Sequence, residues 1–143
     1  MDTLSPEKRS WNMSRIRGKN TKPELAFRSV LHRLGYRFRL ADKTLPGKPD
    51  IVLPKYRAVV FVHGCFWHRH PWCKYAYTPK SRCEFWNKKF DANVLRDETN
   101  LSHLKKAGWL PIVVWECEIK RDAVATVGRV SKVLQRRLKK LST

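Results

Sequence analysis

At 143 residues the chain suits one domain with a sizeable core, and its 42% hydrophobic content is ordinary for a globular protein. Thirty-one Lys and Arg against 12 Asp and Glu leave a net charge of +19, spread along the whole sequence, which favours a polyanion as partner because phosphate contacts release condensed counterions. No run of 18 apolar residues offers a membrane span, and Met1 to Ser10, polar and containing Pro6, lacks the form of a signal peptide; the expectation is a cytoplasmic protein whose four cysteines are metal ligands or free thiols.

Ser5-Pro6-Glu7 reads as a helix start, with Ser5 as cap, and the helix is expected to run to about Ile16 and stop near Gly18. Thr21-Lys22-Pro23-Glu24 is a second start with the form of a capping box. Leu25, Ala26, Val30, Leu31 and Leu34 follow at helical spacing up to Gly35. Tyr36, Phe38 and Leu40 alternate with Arg37 and Arg39, as on a half-buried strand. After a turn-rich stretch, Asp50 to Leu53 is a short buried strand, and Ala58 to Val62 is almost wholly apolar and reads as a central one.

Residues 63–83 have no clear period and are crowded with Cys, His, Trp and Pro. Helical periodicity returns from Glu84 to Ala107, Pro111 to Trp115 is another buried strand, and Arg121 to Leu141 is a basic final helix with Val124, Val127, Val130, Val133, Leu134 and Leu138 on one side. The order α-α-β-β-β-α-β-α describes an α/β sheet with helices on its faces, in a single domain over residues 1–143.

Two places carry chemistry. Asp50 opens one strand, and Val62-His63 closes the next twelve residues later, so a hard oxygen ligand and polar groups converge at one sheet end, where a Mg²⁺ ion can clamp a phosphate and acidify a bound water. Pro-Asp before a strand is also a common turn. Residues 63–73 then pack three His, two Cys and three aromatics into eleven positions. His63 can simply end a strand and His68 cap a turn, yet a neutral His is also a proton acceptor near physiological pH.

Thr21-Lys22-Pro23-Glu24, Leu45-Pro46-Gly47-Lys48-Pro49-Asp50, Phe61-Val62-His63-Gly64-Cys65-Phe66-Trp67-His68, Glu84-Phe85-Trp86 and Val114-Trp115-Glu116-Cys117 together resemble the signatures of the Vsr very-short-patch-repair endonucleases, in order and at close to the family spacing. The resemblance runs from about Met13 to Cys117. It implies a restriction-endonuclease-like core in which the usual Glu-x-Lys of the second strand is absent, and Phe61 and His63 stand in those places. It further implies Asp50 and the backbone carbonyl of Val62 as magnesium ligands. The family often has Thr at the Val62 position, a change that a carbonyl role survives. His68 would be the general base, His63 would support the metal-bound phosphate and water, and Glu24 would orient His68 or metal-bound water. Without the resemblance, Glu24 is simply a capping-box partner.

Cys65-x4-His70-x2-Cys73, with Cys117 after the last strand, offers three sulfurs and an imidazole, a set that suits a closed, tetrahedral, structural Zn²⁺ site. Compared with the best-known family members, one extra residue stands between the second and third ligands, so the choice of His70 over His68 rests partly on that alignment. Cys117 as a small core residue is the alternative, and Cys83 is left over as a free thiol. Phe66 and Trp67 are either core residues or, as the resemblance implies, wedges entering the base stack beside the mismatch together with Trp86. Trp86, Lys89 and Asn93 fall at i, i+3 and i+7, on one helix face. In the family that face approaches the mispaired bases. Residues 1–18, with Met13 and Arg15, would form a helix clamping the opposite groove. Arg17, Lys19 and the basic helix of residues 122–141 are phosphate contacts or a solvated face.

The sequence therefore points to a monomeric, nucleoid-associated endonuclease that nicks duplex DNA 5′ of the mispaired T in T·G mismatches left by 5-methylcytosine deamination, its product passing to general mismatch-repair proteins. Two alternatives stay open: a restriction-type or transposon-linked nuclease without mismatch preference, and a non-catalytic zinc-containing DNA-binding module.

Overall fold

A four-stranded mixed sheet in the order β1-β2-β3-β4 organises the computed structural model, which describes residues 21–142. The expected helix near Ser5 to Ile16, with Met13 and Arg15, lies outside the described residues. The elements in chain order are α1 (Lys22–Arg33), β1 (Arg39–Leu40), β2 (Ile51–Leu53), a 3-10 turn (Pro54–Tyr56), β3 (Ala58–His63), α2 (Cys83–Lys106), β4 (Leu110–Trp115), α3 (Glu116–Arg121) and α4 (Ala123–Leu141). The first two strand pairs are antiparallel, whereas β3 and β4 run parallel, joined by the long helix α2.

The pleat sorts the strand residues onto two faces. Ile51, Leu53, Ala58, Val60, Ile112 and Val114 face a core completed by α1, α3 and α4, through Phe27, Leu31, Ile119, Val127, Val130 and Leu134. Val52, Val59 and Phe61 face the other way, against Leu104 of α2, with Leu101, Trp109 and Val113 around them. The result is three layers, helix–sheet–helix, consistent with the restriction-endonuclease-like α/β fold. Both faces of β2 and β3 are covered, which is why those strands read as unbroken apolar runs.

Four expectations change in detail. In α1 the buried residues are Pro23, Glu24, Phe27, Val30 and Leu31, while Leu25 and Leu34 are exposed. The helix is therefore rotated toward Phe27, whose ring gains most from burial. Val124 of α4 is exposed for a similar reason, with Thr126, Val127, Val130 and Leu134 turned inward. The strand expected from Tyr36 to Leu40 shrinks to Arg39–Leu40, since Tyr36 turns into the core and its hydroxyl meets Ser131 at 2.5 Å and Gln135 at 2.9 Å. Finally, a short helix that the sequence did not announce, α3, precedes the expected final helix. Asp122, extended at φ −163°, caps α4 by accepting from the Ala125 amide at 3.0 Å and so breaks the chain after α3.

Gly47 seats the loop ahead of β2. Its φ is +77°, and a Cβ there would come within 3.0 Å of Asn100 and 3.1 Å of Phe61, so only glycine lets this turn lie against α2 and deliver Asp50 to the sheet end. Among the described residues no helix is long and apolar enough to cross a membrane.

Candidate active site and metal centre

The carboxyl-terminal end of β3 meets the beginning of β2 at one end of the sheet, and there a cavity of about 510 Å³ opens. Glu24, Asp50, His63, His68 and Asp97 all line it. Asp50 is fixed twice by the backbone of β3: its own amide donates to the Val60 carbonyl at 3.1 Å, and its Oδ2 accepts from the Val62 amide at 2.7 Å. Glu24 arrives from the first turn of α1. That turn is capped by Thr21, whose Oγ1 accepts from the Glu24 amide at 3.3 Å.

Glu24 is buried, has Arg28 3.9 Å away, and its carboxyl is hydrogen-bonded to that of Asp50. Asp50 therefore holds its proton more tightly than a free carboxyl. Burial pushes the Asp50 carboxyl up to about 7, the Val62 amide opposes this, and the Glu24 carboxylate adds to it. Two carboxyl groups brought this close offer hard oxygen donors that fit a divalent cation, which would favour the ionised form of Asp50. The expectation for Glu24 is that it orients His68 or metal-bound water. Glu24 faces Asp50, and the partner of His68 is a residue that sequence reasoning missed.

That residue is Asp97, four turns into α2, whose Oδ2 lies 2.6 Å from Nδ1 of His68. A carboxylate accepting at Nδ1–H leaves Nε2 as the basic nitrogen of the ring. His63 stacks on His68 with ring centroids 3.8 Å apart and planes within 6°. Burial, and then His68 itself, hold His63 down to about 3, so it stays neutral over the working pH range. A signal for Asp97 was present: it extends the Trp86, Lys89, Asn93 face by one more turn.

Alternate polar residues of the same loop serve a second cluster. Potential ligand atoms of Cys65, His70, Cys73 and Cys117 all lie within 4.8 Å of one another. Tight turns gather the first three, through amide bonds from His68 to Gly64, His70 to Cys65 and Cys73 to His70 at 3.1–3.3 Å. Cys117 comes from the start of α3, its Sγ 3.3 Å from Nδ1 of His70. Burial pushes the Cys65 thiol up to about 12, the Cys117 backbone opposes this, and the Cys117 and Cys73 thiols add to the rise. Three crowded thiols resist becoming thiolates together unless a cation is among them. The donor set therefore fits a soft tetrahedral metal, with Cys83 exposed and outside it. His68 is committed to Asp97, which agrees with His70 as the nitrogen donor.

Phe66 and Trp67 lie between the two centres. Trp67 is 6% exposed and Phe66 half-buried. Phe66 sits at the middle of an aromatic cluster, with ring centroids 5.1 Å from Trp67, 5.2 Å from Tyr77 and Phe90 and 5.8 Å from Trp86. Trp86, Lys89 and Asn93 share a face of α2, as expected, and all three meet Trp67: the Trp86 ring at 5.9 Å, the Lys89 ammonium at 5.1 Å and the Asn93 amide donating to the Trp67 carbonyl at 3.5 Å. Arg69 ties this cluster to the loop, its guanidinium 3.9 Å over Phe90 and donating to the Tyr77 carbonyl at 3.0 Å. Pro71 and Trp72 form the tip, where Trp72 is fully exposed at φ +60°.

Comparisons with known proteins agree with this geometry. The family model described as DNA mismatch endonuclease Vsr matches residues 1–74. The chain is 50% identical to the type II nicking enzyme V.XorIIP of Xanthomonas oryzae pv. oryzae, over 93% of this chain and 96% of that protein. It is 48% identical to the type II nicking enzyme V.NmeAIP of Neisseria meningitidis, over 86% of this chain and 87% of that one. To the DNA mismatch endonuclease Vsr of Escherichia coli it is 44% identical, over 78% of this chain and 71% of that enzyme. An α/β fold of this class, a cavity ringed by carboxylates and histidines, and relatives matched over most of their length lead to one conclusion: the chain belongs to the Vsr family of DNA endonucleases.

Proposed function

We propose that this endonuclease nicks one strand of duplex DNA on the 5′ side of the mispaired T in T·G mismatches that arise by deamination of 5-methylcytosine, with Mg²⁺ at Asp50 and a structural Zn²⁺ on Cys65, His70, Cys73 and Cys117. The observation that carries this reading is the placement of the Glu24–Asp50 carboxyl pair and the Asp97–His68–His63 series in one cavity. When bound, Mg²⁺ supplies charge neutralisation at the scissile phosphate and lowers the pKa of a bound water.

The chain's own residues divide the remaining work. Asp50 and the Val62 carbonyl hold the cation, with Glu24 beside them, and the Val62 amide fixes the rotamer of Asp50. Nε2 of His68 accepts the proton of the attacking water, and Asp97 stabilises the imidazolium that results. His63, buried and neutral, keeps the His68 ring in plane and offers a hydrogen bond to the phosphate or its water without adding a second positive charge. Trp86, Lys89 and Asn93 approach the mispaired bases, and Phe66 and Trp67 enter the stack beside them, which requires the packed aromatic cluster to open on binding. The product then goes to general mismatch-repair proteins.

The test is a nicking assay with Mg²⁺ on matched and T·G-mismatched duplexes in several methylation-site contexts, with Asp50→Ala alongside. Mismatch-dependent nicking that the variant lacks supports the proposal and supplies the target sequence. Equal cutting of matched duplex would replace it with a nuclease indifferent to mismatches, and cutting that proceeds in chelator would remove the metal from it.

A further inference from the structure

The charge of +19 is distributed unevenly over the fold, and the catalytic cavity accounts for only part of it. All ten acidic residues of the described chain belong to α1 before Phe27, to the loop leading into β2, to α2 before Thr99, to α3 or to its junction with α4. At the opposite end of the sheet, where β3 and β4 begin, three segments without any carboxylate come together: residues 54–58, residues 102–110 and the second half of α4. Arg137 locks them to one another, donating to the carbonyls of Tyr56 at 3.2 Å and Gly108 at 2.7 Å. Around that lock Lys55, Arg57, Lys105, Lys106, Arg136 and Lys139 are all exposed.

With no carboxylate among them in the described residues, these six like charges repel one another and weaken the compact state. The helix dipoles favour cations at Lys105, Lys106 and Lys139, in the last turns of α2 and α4, but packing does not require them: all three, and Arg136, lie on solvent faces. β3, six residues at about 3.3 Å each, puts this pole about 20 Å from the catalytic cavity. That separation is about the width of a duplex, so a duplex that lies across the strands at the cavity leaves the far pole uncovered.

We propose that the pole where β3 and β4 begin is a second duplex-binding surface, which grips the phosphate backbone of another DNA segment while the cavity holds the first. Transfer between segments then follows. A bound enzyme is handed to incoming DNA without passing through free solution, which suits a search for rare lesions. The inference rests on the chain being a DNA endonuclease and is independent of its mismatch specificity.

The experiment measures release of a labelled duplex from the full-length protein, without divalent metal, as unlabelled matched duplex is added in rising concentration. For the unaltered protein the release rate should climb with competitor concentration, and less steeply in higher salt. In the variant Lys105→Gln/Lys106→Gln/Arg136→Gln/Lys139→Gln release should become independent of competitor. The salt slope of second-duplex binding should fall by about 3.5, because four fewer cations then neutralise phosphate. Single-turnover nicking of a short duplex should stay within about twofold, since one short duplex occupies only the cavity. Replacing the three lysines by Arg should retain competitor-driven release and guards against a folding defect. Release that ignores competitor in the unaltered protein, or competitor-driven release that persists in the Gln variant, overturns the proposal. So does loss of nicking in step with the release effect, which would place these cations in the primary site. Equal acceleration by polyglutamate of matched charge would overturn duplex DNA as the occupant.

Discussion

Eleven residues, His63 to Cys73, serve two centres of opposite character, and the contrast explains the site. His63 and His68 turn to an open cavity with oxygen-donor groups, whereas Cys65, His70 and Cys73 turn to a closed set of soft donors completed by Cys117. In the open centre the acids are mutually frustrated, with Asp50 pushed up to about 7, and the histidines are stacked and unequal. In the closed centre the ligands hold the loop's own turns together. One set stores reactivity and the other supplies the rigidity that lets it be stored. Because they interleave along the chain, a shift in one should reach the other, but with different weight in each direction.

The strongest way to break this picture is Asp50→Ala. Nicking should fall by about 10³-fold or more, with zinc content and DNA affinity nearly unchanged; substantial residual nicking would remove Asp50 from the chemistry. Cys117→Ser should act the opposite way. It should lower stability by several kcal/mol in thermal melts and reduce nicking as a consequence, because the loop that carries His68 loses its anchor. A melting temperature indifferent to both this change and a chelator would make Cys117 an ordinary core residue. Asp97→Asn sharpens the open centre alone. A drop of about 10- to 100-fold in kcat, with KM for DNA and melting temperature held, would identify Asp97 as positioning His68, and an unchanged kcat would leave it structural.

Proton competition gives the smallest and most graded effect. A carboxyl raised to about 7 must lose its proton to accept a divalent cation, so apparent Mg²⁺ affinity should rise about tenfold per pH unit up to about 7 and then level off. The stability of the metal-free protein should move the other way. A carboxyl raised in the fold contributes stability below its ordinary range, and that contribution is lost as pH climbs toward 7. Asp50→Asn should therefore melt higher than the unaltered chain at pH 8 without metal. A flat affinity between pH 5 and 8 would argue that Asp50 is already ionised.

Much of this was legible in the sequence. β2, β3 and β4 were plain because both faces of the central strands are buried and leave uninterrupted apolar runs. The gathering of Cys65, His70 and Cys73 was plain because donors at close spacing in the chain stay close in the fold. Asp97 was not: it continues the face of Trp86, Lys89 and Asn93, but its contact with His68 joins residues 29 positions apart on different elements, which no local pattern announces. The facing of α1 was misjudged for a related reason. Leu25 and Leu34 fit a helical period as well as Phe27 does, and only the shape of the sheet below decides which side goes in. The partner of Glu24 was likewise set by packing, not by its place in a capping sequence.

The seating of α1 also sets a timetable. Glu24 is held at Asp50 by a helix that packs against α4, and the Tyr36 hydroxyl beyond it is bound by Ser131 and Gln135, residues 95 and 99 positions away. Those residues are made well after Tyr36, at about 5–20 residues per second. Until they emerge, the two carboxyl groups have no framework to bring them together, and a nascent chain tethered near its message is a protein without a cutting centre. Chains ending before Ser131 should accordingly bind DNA through their basic segments yet fail to nick it. Order of synthesis thus delays the seating of α1, and with it the pairing of Glu24 and Asp50, until α4 has been made.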